Sequence, residues 1–111
     1  MSVEDVRIAP RRVAIGGRVS IDFVLRNRSR AAQDLLVDLA VHFIKANGCT
    51  SAKIFKVKRV ALPARGAGAF STSVSLAVHT TRKPQPGRHA VDIIVNGKAM
   101  PIGAFHVVMA K

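Results

Sequence analysis

The stretch HFIKANGCTSAKIFKVKR, residues 42–59, has the clearest pattern of paired strands in the sequence. It begins at the end of a run of alternating apolar residues, turns at Asn47-Gly48, and from residue 51 alternates lysine with apolar residues. Successive side chains of a strand point to opposite faces, so we expect Phe55 and Val57 to face a core and Lys56 and Lys58 to face outward. The stretch therefore predicts two antiparallel strands joined by a loop of more than two residues.

The same period of two extends on both sides of this stretch. Residues 35–44 tolerate a helix as well, but their β-branched surroundings and the turn after them favour a strand. Asn96-Gly97 is the strongest two-residue hairpin signal, and the strand after it should bulge or bend near Pro101 and Gly103. The predicted strands are residues 3–8, 11–13, 18–27, 35–44, 51–60, 69–76, 88–95 and 98–109.

Seven or eight such strands with no amphipathic helix predict an all-β fold. The spacing is typical of an immunoglobulin-like antiparallel β-sandwich. With 111 residues, no internal repeat and no linker, the sequence predicts one domain over residues 1–111. The core must be built from Val, Ile, Leu and Ala, because the chain has five Phe and neither Trp nor Tyr.

The charge balance is strongly basic. Eighteen Lys and Arg stand against six Asp and Glu, a formal net charge of +12. Nucleic acid is the commonest anionic partner for such a chain, while an anionic membrane, an acidic protein, an acidic companion domain or simple solvation are the alternatives.

The chain carries few signs of export. Cys49 is its one cysteine, so no intrachain disulfide forms, and the acidic start of the sequence does not resemble a signal peptide. No apolar run approaches the ~20 residues of a membrane span. We therefore expect a cytoplasmic protein without a membrane partner.

The sequence offers little for catalysis. Its four histidines lack metal-ligand spacing, and neither a nucleophile elbow nor a phosphate-binding loop occurs. Asp38 and His42 share a face but lie ~13 Å apart along a strand, so we expect His42 to be a surface residue. His89 is expected at a corner, hydrogen-bonded to a neighbouring loop. The sequence thus predicts no enzyme, no metal, no cofactor and no small-molecule substrate.

Basic residues form the better candidate site. In an immunoglobulin-like sandwich the strands around residues 42–59 share a sheet with the terminal hairpin, so two basic groups can lie on one face. Without Trp or Tyr the stacking platform of single-strand binders is missing, which favours contacts to the phosphate backbone. If about four charges each neutralised a phosphate, log affinity would fall against log salt with a slope of roughly −3.6. The predicted DNA-binding residues are Lys45, Lys53, Lys56, Lys58, Arg59, Arg82, Lys83 and Arg88.

Three segments carry a resemblance that covers nearly the whole chain. They are residues 6–27, residues 37–66 and residues 76–97, with HFIKANG, KIFKVK, HTTR and PGRHAVDIIVNG as the most specific pieces. They closely resemble the C-terminal immunoglobulin-like domain of bacterial DNA alkylation repair proteins, which in that family follows a helical, HEAT-like repeat region related to alkylpurine DNA glycosylases. The repeat region is absent here, so no catalytic residue carries over. The matching positions are His42, Lys45, Asn47, Lys53, Lys56, Thr80, Thr81, Arg82, Arg88 and His89, and the resemblance assigns them no role.

Two functions remain open at this point. The resemblance and the charge together predict a non-catalytic accessory module that adds non-specific DNA-backbone binding to a DNA alkylation repair protein. The alternative is a structural or protein-interaction domain that docks on a helical-repeat domain or partner without touching DNA. A largely apolar exposed patch would favour the alternative.

Overall fold

Eight strands in two sheets make up the computed structural model, which describes residues 1–45, 47–77 and 85–109. The predicted loop around Thr80, Thr81, Arg82, Lys83 and Pro84 lies outside these residues. The strands are β1 (Ser2–Ala9), β2 (Arg12–Ala14), β3 (Arg18–Arg26), β4 (Gln33–Ile44), β5 (Thr50–Leu62), β6 (Ala67–Ser75), β7 (Gly87–Val95) and β8 (Lys98–Val108).

The strands form an unequal pair of sheets. One sheet has three strands in the order β1-β3-β6, and the other has five in the order β2-β8-β7-β4-β5. The all-β, immunoglobulin-like sandwich is thus confirmed, and β4 and β5 share a sheet with the terminal hairpin as expected. Every described strand pair is antiparallel except the short β2, which runs parallel to β8 after the chain crosses between sheets at Pro10.

Strict alternation places the core between the sheets. In β3 the side chains of Val19, Ile21, Phe23 and Leu25 are at most 1 % exposed, while the residues between them are half-buried or exposed. Such alternation is expected of a sheet with one face on a core and one toward water. Phe23 also stacks on Phe70 of β6, with ring centroids 5.4 Å apart. The apolar core therefore forms largely from the residues that the sequence pattern selects.

Turn chemistry fixes the register of the terminal hairpin. Asn96 and Gly97 have φ angles of 50° and 84°, the paired positive values of the hairpin turn that Asn-Gly favours, and Val95 pairs directly with Lys98. The expected irregularity in β8 is present too, because the register between β7 and β8 shifts near Gly103. Gly103 has a φ of 153° and lies so close to Ile8 that a Cβ there would be 3.0 Å from its Cδ1.

A buried asparagine closes one end of the sandwich. Asn27 is 1 % exposed, and its Nδ2 donates hydrogen bonds to the carbonyl oxygens of Ala31 at 2.9 Å, Pro63 at 3.1 Å and Leu62 at 3.3 Å. Its Oδ1 accepts from the backbone N–H and the hydroxyl of Ser29. The loop predicted as merely basic is therefore tied to the turn between β5 and β6 through one side chain.

Candidate nucleic-acid interface

The candidate site is organised around β5, an edge strand of the five-stranded sheet. Its neighbour β4 has its core-facing positions at Val37, Leu39 and Val41, all 0 % exposed. Directly paired residues of an antiparallel ladder share a face. The pairing partner of each β5 residue therefore shows which face of the sheet that residue occupies.

A bulge in β5 changes the expected parity. Lys56 pairs with Asp38 on the outer face, but the register shifts between Val37 and Asp38, so that Val57 becomes the extra residue and Lys58 pairs with Val37. The interpretation that Lys56 and Lys58 share the outward face was wrong for this reason. Arg59, which pairs with Leu36, occupies the outer face with Lys56.

The other two lysines of β5 lie on the opposite side of the same edge. Lys53 pairs with Val41 and Lys58 with Val37, both core-facing residues, yet both lysines are exposed. Leu62 at the end of β5 is buried in the core, but Phe55 on the inner side is only half-buried at the margin of the core. The exposed edge of β5 thus carries cations on both of its sides.

Two further predicted residues lie at the other end of this sheet. Lys45 follows β4 and is exposed in a turn whose backbone is closed by its own N–H donating to the Cys49 carbonyl at 2.7 Å. Arg88 is exposed near the start of β7, on the outer face. Lys56 and Arg88 lie about six residues apart along the strand direction, roughly 20 Å at ~3.3 Å per residue. Arg82 and Lys83 lie outside the described residues.

The cations of the site have no acidic partner within the part of the chain that the structure describes. There, the ion pairs within 4.0 Å are Arg26–Glu4 and His42–Asp92, at 2.7 and 2.8 Å. The first lies on the three-stranded sheet, where the hydrogen bond from Arg26 lowers the pKa of Glu4. The lysines of β5 are therefore available to an external anion.

Two basic groups were expected to lie on one face, and the outer face between them is not basic. His42 is half-buried, and its Nε2 lies 2.8 Å from Oδ2 of Asp92 on β7. In the sequence, Asp38 was the acidic residue considered as a partner of His42, and both lie on β4. The structure instead pairs His42 with Asp92, its diagonal neighbour on β7. Register between β4 and β7, which the sequence does not reveal, was needed to find this pair.

Arg12 and His106 extend the basic end near Arg88. Arg12 pairs with His106, and His106 pairs with Arg88, so the three residues form one row across β2, β8 and β7. All three are exposed. The row brings together residues that are far apart in sequence, and the parallel pairing of β2 that creates it has no local sequence signal.

His89 is a core residue and does not occupy the corner that we expected. It is 0 % exposed, with its ring at 5.4 Å centroid distance from both Phe43 and Phe105. Its Nδ1 lies 3.2 Å from the Gly87 carbonyl of its own strand, and its Nε2 has no partner among the described residues. Burial lowers the pKa of His89, which favours the neutral ring.

The described residues were compared with the requirements of a metal site and of a membrane-spanning helix. Residues 1–45, 47–77 and 85–109 contain no group of three or more His, Cys, Asp or Glu side chains that could hold a metal ion. No helix long and apolar enough to span a membrane occurs in those ranges.

Solved structures share this architecture. Pseudomonas fluorescens alkylpurine DNA glycosylase AlkC, bound to DNA containing an abasic site analog, superposes with a TM-score of 0.92 and 31 % identity over 97 % of this chain and 30 % of that chain. A β-glucosidase from Listeria innocua in complex with gluconolactone gives a TM-score of 0.71 and 16 % identity over 96 % of this chain and 16 % of its own. The CARDB domain of the Pyrococcus furiosus PF1109 protein gives 0.61 and 14 % over 98 % and 93 % of the two chains. The last two share the fold alone.

Sequence comparison identifies the family. Over 98 residues the chain is 26 % identical to the uncharacterized protein YhaZ of Bacillus subtilis strain 168, which covers 88 % of this chain and 27 % of the relative. The chain thus spans less than a third of the length of either YhaZ or AlkC. The family model of the C-terminal Ig-like domain of the uncharacterised protein YhaZ matches residues 2–109. The chain therefore belongs to the family of YhaZ-type C-terminal Ig-like domains.

Proposed function

We propose that this chain is a non-catalytic accessory module that binds the DNA backbone without sequence preference, in the context of DNA alkylation repair in the bacterial cytoplasm. Residues 1–111 act as a single domain that supplies affinity to a longer repair protein, and the reacting groups lie elsewhere in that protein. The observation that carries the proposal is the exposed β5 edge, which has cations on both of its sides and no acidic partner among the described residues.

The geometry suits phosphates better than bases. Lys53 and Arg59 lie about 20 Å apart along β5 at ~3.3 Å per residue, a span over which a backbone presents several phosphates. Lysine and arginine side chains that project from a strand edge position a protein on DNA but do not read its sequence. Phe23, Phe43 and Phe70 are buried in the core, so none of these rings is available to stack on bases.

The repair context rests on one structural neighbour. AlkC, which is named as an alkylpurine DNA glycosylase and was solved with DNA, contains a region that matches 97 % of this chain at 31 % identity. That region is 30 % of AlkC, so the glycosylase activity in its name does not transfer to this chain. The neighbour supports an accessory role beside a larger repair domain.

A charge-matched pair of variants tests the proposal. One variant carries Lys53→Ala, Lys56→Ala and Lys58→Ala on β5. The control carries Arg7→Ala, Arg18→Ala and Arg30→Ala, which are exposed residues outside the five-stranded sheet. Both variants lose three positive charges, so any difference between their DNA affinities depends on where on the surface those charges lie.

Fluorescence anisotropy with a labelled duplex at low salt measures the outcome. The β5 variant should lose about tenfold or more in affinity, and the control should lose clearly less. Equal losses of affinity in the two variants would refute the β5 interface, because binding would then depend on net charge alone. No binding by the parent chain at low salt would refute DNA binding itself.

A further inference from the structure

The outer face of the five-stranded sheet has an apolar centre. The positions that face outward between the two basic ends are mostly alanine, isoleucine or leucine, in a chain where 22 % of residues are charged. Among its large members Leu36 and Ile54 are 38 % and 46 % exposed and Ile94 is half-buried, whereas Ala40 in the middle is only 3 % exposed. We call these outward residues the apolar centre: Leu36, Ala40, Ala52, Ile54, Ala90, Ile94, Ala99, Pro101 and Ala104.

Three polar side chains lie within this area, and they are Asp38, His42 and Asp92. Asp92 is paired with His42 at 2.8 Å, which compensates its charge when the histidine is protonated and hydrogen-bonds it otherwise. Oδ1 of Asp38 is shielded from solvent and has no hydrogen-bond partner among the described residues. The carboxylates of Asp38 and Asp92 therefore leave a small polar area in the middle of an otherwise apolar surface.

Cations frame the apolar centre at both ends of the strands. Lys56 and Arg59 lie at one end, and Arg88 with Arg12 at the other. The framing makes self-association unfavourable, because a second copy would bring like charges together. An apolar surface with acidic residues at its ends is the complement.

The dimensions fit a single helix. Four strands, β5, β4, β7 and β8, carry the apolar centre, and at ~4.8 Å between strands they span about 14 Å, slightly more than the 10–12 Å diameter of an α-helix. The two basic ends are roughly 20 Å apart, which equals about 13 residues of helix at 1.5 Å per residue. Sheets also commonly bury an exposed apolar face under a helix.

We propose that the apolar centre docks an amphipathic α-helix of a partner protein, with an apolar stripe of three to four turns, acidic residues at both ends of the stripe and one uncharged polar residue opposite Asp38 and Asp92. This interaction goes beyond DNA binding, because the apolar centre contains no cation that would bind a phosphate. Lys53 and Lys58, on the other side of the β5 edge, remain free for DNA while the helix is bound.

Nuclear magnetic resonance titration of the labelled 111-residue chain tests the docking. The probe is a synthetic helical peptide of about 14 residues with a Leu/Ala stripe, a central Gln and Glu at both ends, a length set by the span of the face. The control peptide has Lys in place of each Glu. Saturable shifts at Ile54, Ala40 and Ile94, with about tenfold weaker binding of the Lys peptide, are the expected result.

Two variants locate the interaction. Ile54→Glu places a like charge in the path of the acidic peptide and should abolish binding, and Ile54→Ser should weaken it. Ala69→Glu introduces the same charge on the exposed outer face of β6 in the other sheet and should bind like the parent.

Four outcomes would overturn the proposal. They are no saturation at millimolar peptide, shifts confined to β1, β3 and β6, equal binding of the two peptides, and shifts at Ile54 that follow protein concentration alone, which would identify a second copy as the occupant. Duplex DNA that shifts Ile54 and Ile94 in place of the peptide would assign this face to nucleic acid.

Discussion

Replacing Asn27 with aspartate should be among the most damaging single-atom changes in this protein. The change leaves the shape of the side chain intact but turns its NH₂ donor into an oxygen that faces the carbonyl oxygens of Ala31, Leu62 and Pro63 at 2.9 to 3.3 Å. Asn27 is 1 % exposed, so water cannot replace the lost donor. The loop before β4 and the turn after β5 would lose their common anchor.

The expected loss follows from the number of bonds. Two N–H donors at about 0.5 to 1.5 kcal/mol each, plus the penalty for a buried group left without a partner, give about 3 kcal/mol. That is a large part of the roughly 5 to 15 kcal/mol by which a domain of this size is stable. The Asn27→Asp variant should therefore unfold at clearly lower urea concentration and temperature.

Urea denaturation followed by circular dichroism at pH 7 gives the free energy of unfolding. Gln33→Glu is the matched control, because it makes the same amide-to-acid change on an exposed residue that makes one hydrogen bond to Ser29 in the described chain. The control should lose less than about 1 kcal/mol. An Asn27→Asp variant no less stable than this control would refute the anchoring role of Asn27.

Three further changes probe other parts of the fold. Burial lowers the pKa of His89, so below the ordinary histidine pKa of about 6.5 the unfolded chain binds more protons than the folded chain. The melting temperature should therefore fall as the pH drops from 7.5 to 5. This dependence of melting temperature on pH should be weaker in His89→Leu, and an unchanged dependence would rule out His89 as its source. Gly103→Ala should destabilise by about 1 to 3 kcal/mol, because φ is 153° and the new Cβ would press on Ile8, so a neutral result in thermal denaturation would contradict the bulge geometry. Asn96→Ala should lower the free energy of unfolding, measured by urea denaturation, by about 1 to 2 kcal/mol. The Asn96 side chain accepts a hydrogen bond from the Leu36 N–H at 2.8 Å, and asparagine favours the positive φ of the turn. Equal stability of Asn96→Ala and the parent would contradict this role of Asn96.

Local pattern was sufficient for the elements of this fold. The alternation in β3, the Asn96-Gly97 turn and the irregularity near Gly103 each have a physical signature within a few neighbouring residues, and all three are confirmed. The same holds for the pairing of β4 with β5 across Asn47-Gly48.

The register between strands that are distant in the sequence could not be predicted from local patterns. The bulge that moves Lys58 to the inner side depends on how β5 pairs with β4, and the His42–Asp92 pair depends on how β4 pairs with β7. The sequence also could not show that the outer face has an apolar centre, because its alanines come from four different strands. His89 was misplaced because its position after Pro86 suggests a corner, whereas its parity in β7 places it in the core.

The salt dependence of DNA binding measures how many phosphates the chain neutralises through β5. Anisotropy titrations with one duplex between low and physiological salt give the slope of log affinity against log salt for the parent chain and for the variant that lacks Lys53, Lys56 and Lys58. With about four phosphate contacts the parent slope should be roughly −3.6, and loss of three contacts should bring the variant to roughly −0.9. A parent slope near zero, or equal slopes for parent and variant, would contradict a DNA-backbone interface on β5.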